Sequence, residues 1–277
     1  MTGQFDAWVG REERREDIIH SGKIIEMAAT LDLDAPPEDV LPPGWQWLFF
    51  NQPVRRSLLG VDGHPARGGF LPPVELPRRM WAGSRIHYLA DLPVGARAER
   101  LSRILKVESK TGKRGSLCFV TVQHLISHGG VICIEEEQDI VYREATAPGG
   151  MPAPPPPRHE AQAQWSRDFV ADSTLLFRYS ALTFNGHRIH YDLPYARDEE
   201  GYPGLVVHGP LTATLLQQFA VECADGRPLA AFDFRGVAPL FADRRFQLEA
   251  SADGDAMTLW ARGPDGELAM SASARFR

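Results

Sequence analysis

Five prolines, Pro152 and Pro154 to Pro157, stand just past the middle of the chain, and such a cluster fits neither a helix interior nor a central strand. It reads as an extended linker, residues 148–164, between an N-terminal half, 1–147, and a C-terminal half, 165–277. The halves echo each other. IHYLADLPVGARAERLSRI, beginning at Ile86, can be laid on FDFRGVAPLFADRRFQLEA, beginning at Phe232, which puts Pro93 on Pro239. Each stretch leads into alternating runs that turn back on themselves, one at Gly129-Gly130 and the other at Pro264-Asp265-Gly266, so each half predicts an antiparallel meander. Ahead of the second meander, Gly209 and Pro210 suit a helix start, and Leu211, Leu215, Leu216, Phe219 and Val221 give a helix to Cys223 a broad apolar face. Ahead of the first, AATLDLDAPPEDVLPPGWQWLFF is a worn copy of the same region, with Gly44 in the place of Gly209 and no histidine. The stretch from Pro53 to Gly83, rich in Pro, Gly and Arg, has no counterpart and reads as a long loop.

Composition narrows the function classes. The chain has 277 residues, 43% of them hydrophobic, enough for a substantial core. The net charge is −6 and the basic residues are scattered, which argues against nucleic acid and membrane surfaces as partners. No run approaches the ~18 apolar residues of a membrane span, and the N-terminus lacks an apolar stretch behind basic residues. Three cysteines, Cys118, Cys133 and Cys223, show no C-x-x-C spacing, so they are expected to be reduced, buried thiols in a cytoplasmic protein.

Chemistry concentrates between Arg178 and Leu216. Within FNGHRIH, Asn185 and His190 are close enough on a loop to converge on a water molecule. The imidazole of His190 suits a base that takes a proton from water and returns one to carbon; Asn185 can orient but cannot transfer a proton. Val207-His208-Gly209-Pro210 then opens the helix, whose first N–H groups lack internal partners. Pro210 has no N–H, which leaves Gly209 as the donor to a thioester carbonyl turning into an enolate. Asp192 is expected to orient a neighbour or cap a helix, and His187 and His208 to cap, pack or bond to backbone. His187, His190 and His208 with Asp192 could in principle supply metal ligands, which is the competing reading of these side chains. Arg178 and Arg235 are candidates for gripping a phosphate or a carboxylate of the substrate, with His208 a further substrate contact. Trp45, Trp47, Phe49 and Phe50 are expected in the core. Arg85-Ile86-His87-Tyr88 repeats Arg188-Ile189-His190-Tyr191 letter for letter, but leads straight into strands and is rejected as a second motif.

Asn185-Gly186-His187-Arg188-Ile189-His190 resembles the Asp-x-Asn-Pro-x-His motif of the (R)-specific enoyl-CoA hydratase, or MaoC-like, family. FDAWVGREE, HSGKIIEMAATLD and RYSALTFNGHRIHYD together look like its double-hotdog branch of 3-hydroxyacyl-thioester dehydratases and mesaconyl-CoA hydratases. The resemblance implies an α+β double hotdog, each half a curled antiparallel sheet around a central helix, with one active site in the C-terminal half. It implies a cofactor-independent hydro-lyase acting between an enoyl-CoA and its 3-hydroxyacyl-CoA, with short, branched or dicarboxylic acyl groups such as mesaconyl-C(4)-CoA. The N-terminal copy would shape the acyl pocket, and a homodimer is compatible with this reading. The family's aspartate is Asn185 here and its asparagine is His187, so His190 is expected to handle protons alone. A hotdog thioesterase, a dehydratase of fatty acid synthesis and a non-catalytic acyl-thioester binding protein are the alternatives.

Overall fold

The computed structural model describes residues 4–112, 115–144 and 156–277. Pro152, Pro154 and Pro155, with the first part of the expected linker, lie outside the described residues. From Pro157 onward the chain follows the second half: Leu268 N donates to Pro157 O at 2.8 Å and Gln164 N to Ala250 O at 2.9 Å.

Among the described residues, ten antiparallel strands form one sheet. The first half supplies β1 (Glu12–Ile18), β2 (Arg78–Tyr88), β3 (Arg97–Gly112), β4 (Gly115–His128) and β5 (Val131–Arg143). The second supplies β6 (Trp165–Val170), β7 (Leu229–Gly236), β8 (Arg245–Asp253), β9 (Ala256–Arg262) and β10 (Leu268–Phe276). Read inward from its two ends, the sheet runs β1-β3-β4-β5-β2 and β6-β8-β9-β10-β7, the same order twice, and the halves meet where β2 pairs with β7. At that joint a Cβ on Gly83 would run into the Phe234 carbonyl, so the close approach of the two strands needs glycine there. The hairpin turns fall where expected, with Gly129, Gly130 and Gly266 all at positive φ. The long loop ends earlier than the composition suggests. Arg78 to Trp81 pair with β5 before a bulge at Trp81/Gly83, because Pro77 is the last residue that denies the ladder an N–H.

Equivalent contacts in the halves fix the internal alignment. Val40 bridges Pro93 as Val206 bridges Phe241, and Gly95 N donates to Ile19 O as Asp243 N donates to Ala171 O. Pro93 therefore answers Phe241, not Pro239, and counting on from the same bridge puts Pro43, not Gly44, opposite Gly209. Proline has no N–H, so the first half lacks the backbone donor as well as the histidine.

The helices are α1 (Ser21–Thr30), α2 (Ser173–Leu182) and α3 (Gly209–Cys223). Asp172 caps α2 by accepting from Leu175 N at 2.7 Å. Leu211, Leu215, Leu216 and Phe219 are buried where α3 crosses β7 to β10, as the apolar pattern predicts. The first half has no such helix. Its worn copy forms a single 3-10 turn, Trp45–Leu48, entered through Gly44 at φ +83°. Pro42 and Pro43 remove the donors a longer helix would need, and a Cβ on Gly44 would approach Gln217 Nε2 to 2.6 Å, so α3 presses directly on the turn. Trp45, Leu48, Phe49 and Phe50 are core residues, whereas Trp47 faces a cavity.

The inner face of the first half's sheet is not uniformly apolar. Glu136 is 2% exposed and accepts from Ser84 Oγ at 2.7 Å and Trp47 Nε1 at 2.9 Å; burial raises its pKa, which favours the neutral acid. Beside it, His124 bonds Ser102 Oγ at 2.8 Å and Gln138 Oε1 at 3.2 Å, and burial pushes its pKa down to about 3. Cys118 and Cys133 are buried, Cys223 is half-buried, and all three are free thiols. Among the described residues, no helix is long and apolar enough to cross a membrane.

Candidate active site

After α2 the chain needs to turn back toward α3, and it does so through Phe184, which sits at φ +52°, and a turn closed by Asn185. Asn185 Oδ1 accepts from His187 N at 3.0 Å, the local bond that makes asparagine a turn residue. A 3-10 turn, Arg188–His190, follows. It carries His190 inward, 7% exposed, where Nδ1 lies 2.7 Å from Val206 O. A carbonyl accepts only, so Nδ1 carries the proton and Nε2 is left as the basic nitrogen. Burial pushes the His190 pKa down to about 4; the Val206 bond opposes this and His64 adds to it. At neutral pH the imidazole is therefore a free base.

His208 lies behind it. The two rings stack at 3.6 Å with 19° between their planes, and His208 bonds Ser180 Oγ at 2.8 Å. It is fully buried and does not face the cavity, so the expectation of a substrate contact is corrected: as the residue before α3 it supports the His190 ring. Arg178 is corrected likewise. Leu176, Tyr179 and Ser180 are the buried positions of α2, which turns Arg178 outward, its Nη1 3.5 Å from Ala29 O and away from the cavity. Asp192 caps the next turn, accepting from Tyr195 N at 3.2 Å, and pairs with Arg188 at 2.7 Å.

Asn185, His190 and Gly209 all face one cavity of about 2190 Å³. Both halves line it: Trp47, Arg100 and His124 from the first, Tyr179, His190 and Gly209 from the second. Nothing stands within 4 Å of the Cβ position of Gly209, so a substrate can approach the backbone at the start of α3. Arg235, exposed at the end of β7, also faces the cavity.

Asp62 and His64, which no motif in the sequence marks, also reach the site. The loop between the 3-10 turn at Trp45–Leu48 and β2 docks on the motif: Arg188 N donates to Asp62 O at 2.9 Å and Arg188 Nη1 to Val61 O at 3.0 Å. Gly63, at φ +86°, lies so close that a Cβ would strike the Gly186 carbonyl. This lays the His64 ring 4.2 Å from that of His187, which is edge-on to His190 at 5.4 Å. Asp62 accepts from both His64 N at 3.0 Å and His64 Nδ1 at 2.9 Å. Burial would raise the Asp62 pKa, but His64 holds it well below the usual carboxylate range. An Asp-Gly turn inside a loop too long to be a mere connection was the available signal.

These buried imidazoles predict acid lability. His190 titrates near 4 when folded and about 6.5 when unfolded, so between those values the unfolded chain binds the extra proton and stability falls as pH falls. His64, His187, His124 and His208 are depressed in the same direction, in each case first by burial. The thermal midpoint is expected to drop between pH 7 and pH 5; a midpoint flat over that range would contradict the burial of these rings.

Residues 44–242 match the family model of hydroxyacyl-thioester dehydratase type 2. The chain belongs to that family. It is 51% identical, over 98% of each chain, to a mesaconyl-C(4)-CoA hydratase of Chloroflexus aurantiacus. It is 26% identical to the mitochondrial hydroxyacyl-thioester dehydratase type 2 of Schizosaccharomyces pombe, over 88% of this chain and 91% of the relative. Among solved structures it resembles a MaoC-like dehydratase, with a TM-score of 0.74 at 15% identity over 99% of both chains. It also resembles a Mycobacterium tuberculosis protein described as a double hotdog, with a TM-score of 0.56 at 12% identity over 96% of both chains. The fold is the double hotdog, with a 3-10 turn in the first half where the second has its helix. As a member of this family the protein is an enzyme, a hydro-lyase of the enoyl-CoA hydratase and 3-hydroxyacyl-CoA dehydratase class.

Proposed function

We propose that the enzyme adds water reversibly to mesaconyl-C(4)-CoA, without a metal or other cofactor, at a site made by His190, Asn185 and Gly209. The observation that carries the chemistry is the His190 Nδ1 contact to Val206 O at 2.7 Å, which leaves Nε2 as the base at the wall of a cavity that reaches the start of α3. The substrate rests on the full-length similarity to the Chloroflexus hydratase.

In this scheme His190 Nε2 takes a proton from water. Asn185 uses Oδ1 for His187 N, so its amide N–H groups are free to hold the water oxygen but cannot deprotonate it. Hydroxide adds to the β-carbon while the thioester carbonyl gathers charge as an enolate against Gly209 N–H, an interaction worth on the order of 3 kcal/mol. The imidazolium then returns its proton to the α-carbon on the same face, so addition is syn. Arg235, which forms no ion pair among the described residues, grips the CoA phosphates at the cavity mouth. The division into a pocket-shaping half, 1–147, and a catalytic half, 165–277, a cytoplasmic location and a homodimer complete the reading.

Purified protein mixed with mesaconyl-C(4)-CoA is expected to bleach the enoyl-thioester absorbance with no release of free thiol. Thiol release would favour a thioesterase, and no change at all would leave only binding. Sizing the protein in solution tests the dimer.

A further inference from the structure

The substrate just proposed has an unusual demand. Its β-carbon carries a methyl group and the free carboxylate, so the carbon that receives hydroxide keeps a full negative charge next to it throughout the reaction. A buried carboxylate needs a cation or several donors, and these must lie within a few ångströms of the water on His190.

Several arginines line the cavity, Arg79, Arg100 and Arg235 among them, but the carboxylate needs one beside the motif histidines. Arg188 is committed to Asp192 and Val61 O, and Arg78 to Glu200 at 3.1 Å. Arg79, the next residue along β2, faces the cavity opposite Tyr142 of β5 and forms no ion pair among the described residues. Its positive charge acts on both His64 and His187. His187 is edge-on to His190 at 5.4 Å and His64 lies 4.2 Å beyond it, so these two imidazoles border the base on one side. Asp62, His64 and His187 also bring possible metal-ligand atoms within 4.8 Å of one another. Asp62 is already used by two N–H groups of His64, however, and a neighbouring guanidinium opposes a divalent cation while favouring an anion.

We infer that Arg79, with His64 and His187, receives the free carboxylate on the substrate's β-carbon and so selects dicarboxylic monothioesters. The inference rests on the mesaconyl reading. Arg79 supplies the charge, a planar fork that matches a carboxylate. The imidazoles supply the polar edge beside it. The docked loop belongs to the recognition site because it brings His64 there.

The test compares two substrates of the same shape: mesaconyl-C(4)-CoA, and 3-methylcrotonyl-CoA, in which a methyl group replaces the carboxylate. Arg79→Met is expected to lower kcat/KM for the first about 100-fold, chiefly through KM, and to change the second less than about threefold. Arg79→Lys restores part of the loss, and His64→Gln costs about tenfold on the acid alone. If 3-methylcrotonyl-CoA turns over too slowly, inhibition by the two saturated thioesters gives the same ratio. Equal losses on both substrates would make Arg79 a merely structural residue and overturn the inference, as would loss of discrimination in Arg100→Met with none in Arg79→Met. Stoichiometric zinc retained by the wild type and lost in His64→Gln would assign the trio to a metal instead. A wild type that hydrates only the neutral thioester defeats the mesaconyl reading itself; one that prefers the acid equally well without Arg79 defeats this inference alone.

Discussion

Replacing His190 by alanine is expected to lower kcat for hydration about 10³-fold, with KM changed only a few-fold. General acid–base catalysis is worth ~10²–10⁴ in rate, and the motif position that could hold a second proton-transfer group is Asn185, whose amide cannot take a proton. The absorbance assay at saturating enoyl-CoA measures it. Alanine also leaves Val206 O without its donor and a void against His208, so the thermal midpoint should fall as well. His190→Gln separates the effects: it keeps an amide donor in the core but no base, and should fold better while staying as inactive. A His190→Ala enzyme within tenfold of the wild type would refute the assignment.

The second large effect is expected far away in sequence. Gly63→Ala places a methyl group where the Gly186 carbonyl stands and asks a non-glycine residue to hold φ +86°. The loop must lift, and Asp62, His64 and the contacts to Arg188 lift with it. A displacement of about 1 Å at a site like this can cost ~10²-fold, so kcat/KM should fall 10- to 100-fold. Few core residues are involved, so the unfolding midpoint should move by only a few degrees. Normal kinetics in this variant would show that the loop is a bystander.

What could be read from the sequence follows the range of each determinant. The hairpins at Gly129-Gly130 and at Asp265-Gly266, the apolar face of α3 and the turn closed by Asn185 are local, set by residues a few positions apart. The collapse of the worn helix also has a local cause, in Pro42, Pro43 and Gly44, but its consequence does not: Gln217 and Thr214 of α3 fill the space the missing turns release. Glu136 was hidden because it sits in the run Glu135-Glu136-Glu137, where only strand alternation decides which acid points inward. Residue type makes His208 and Arg178 candidates for substrate contact; which side of the chain each presents depends on how α2 and α3 pack. Asp62 and His64 reach the motif from more than a hundred residues away, a contact that no spacing rule encodes.

The pairing of β2 with β7 has an evolutionary consequence. Once two copies share a continuous sheet within one polypeptide, every duplicated position is free to diverge from its twin, which two identical subunits never permit. The first copy has a 3-10 turn where the second has its helix, and its strands and long connection line the cavity that both halves share. New acceptor specificities in this lineage should therefore accumulate in the first half, with the half that carries His190 left almost untouched.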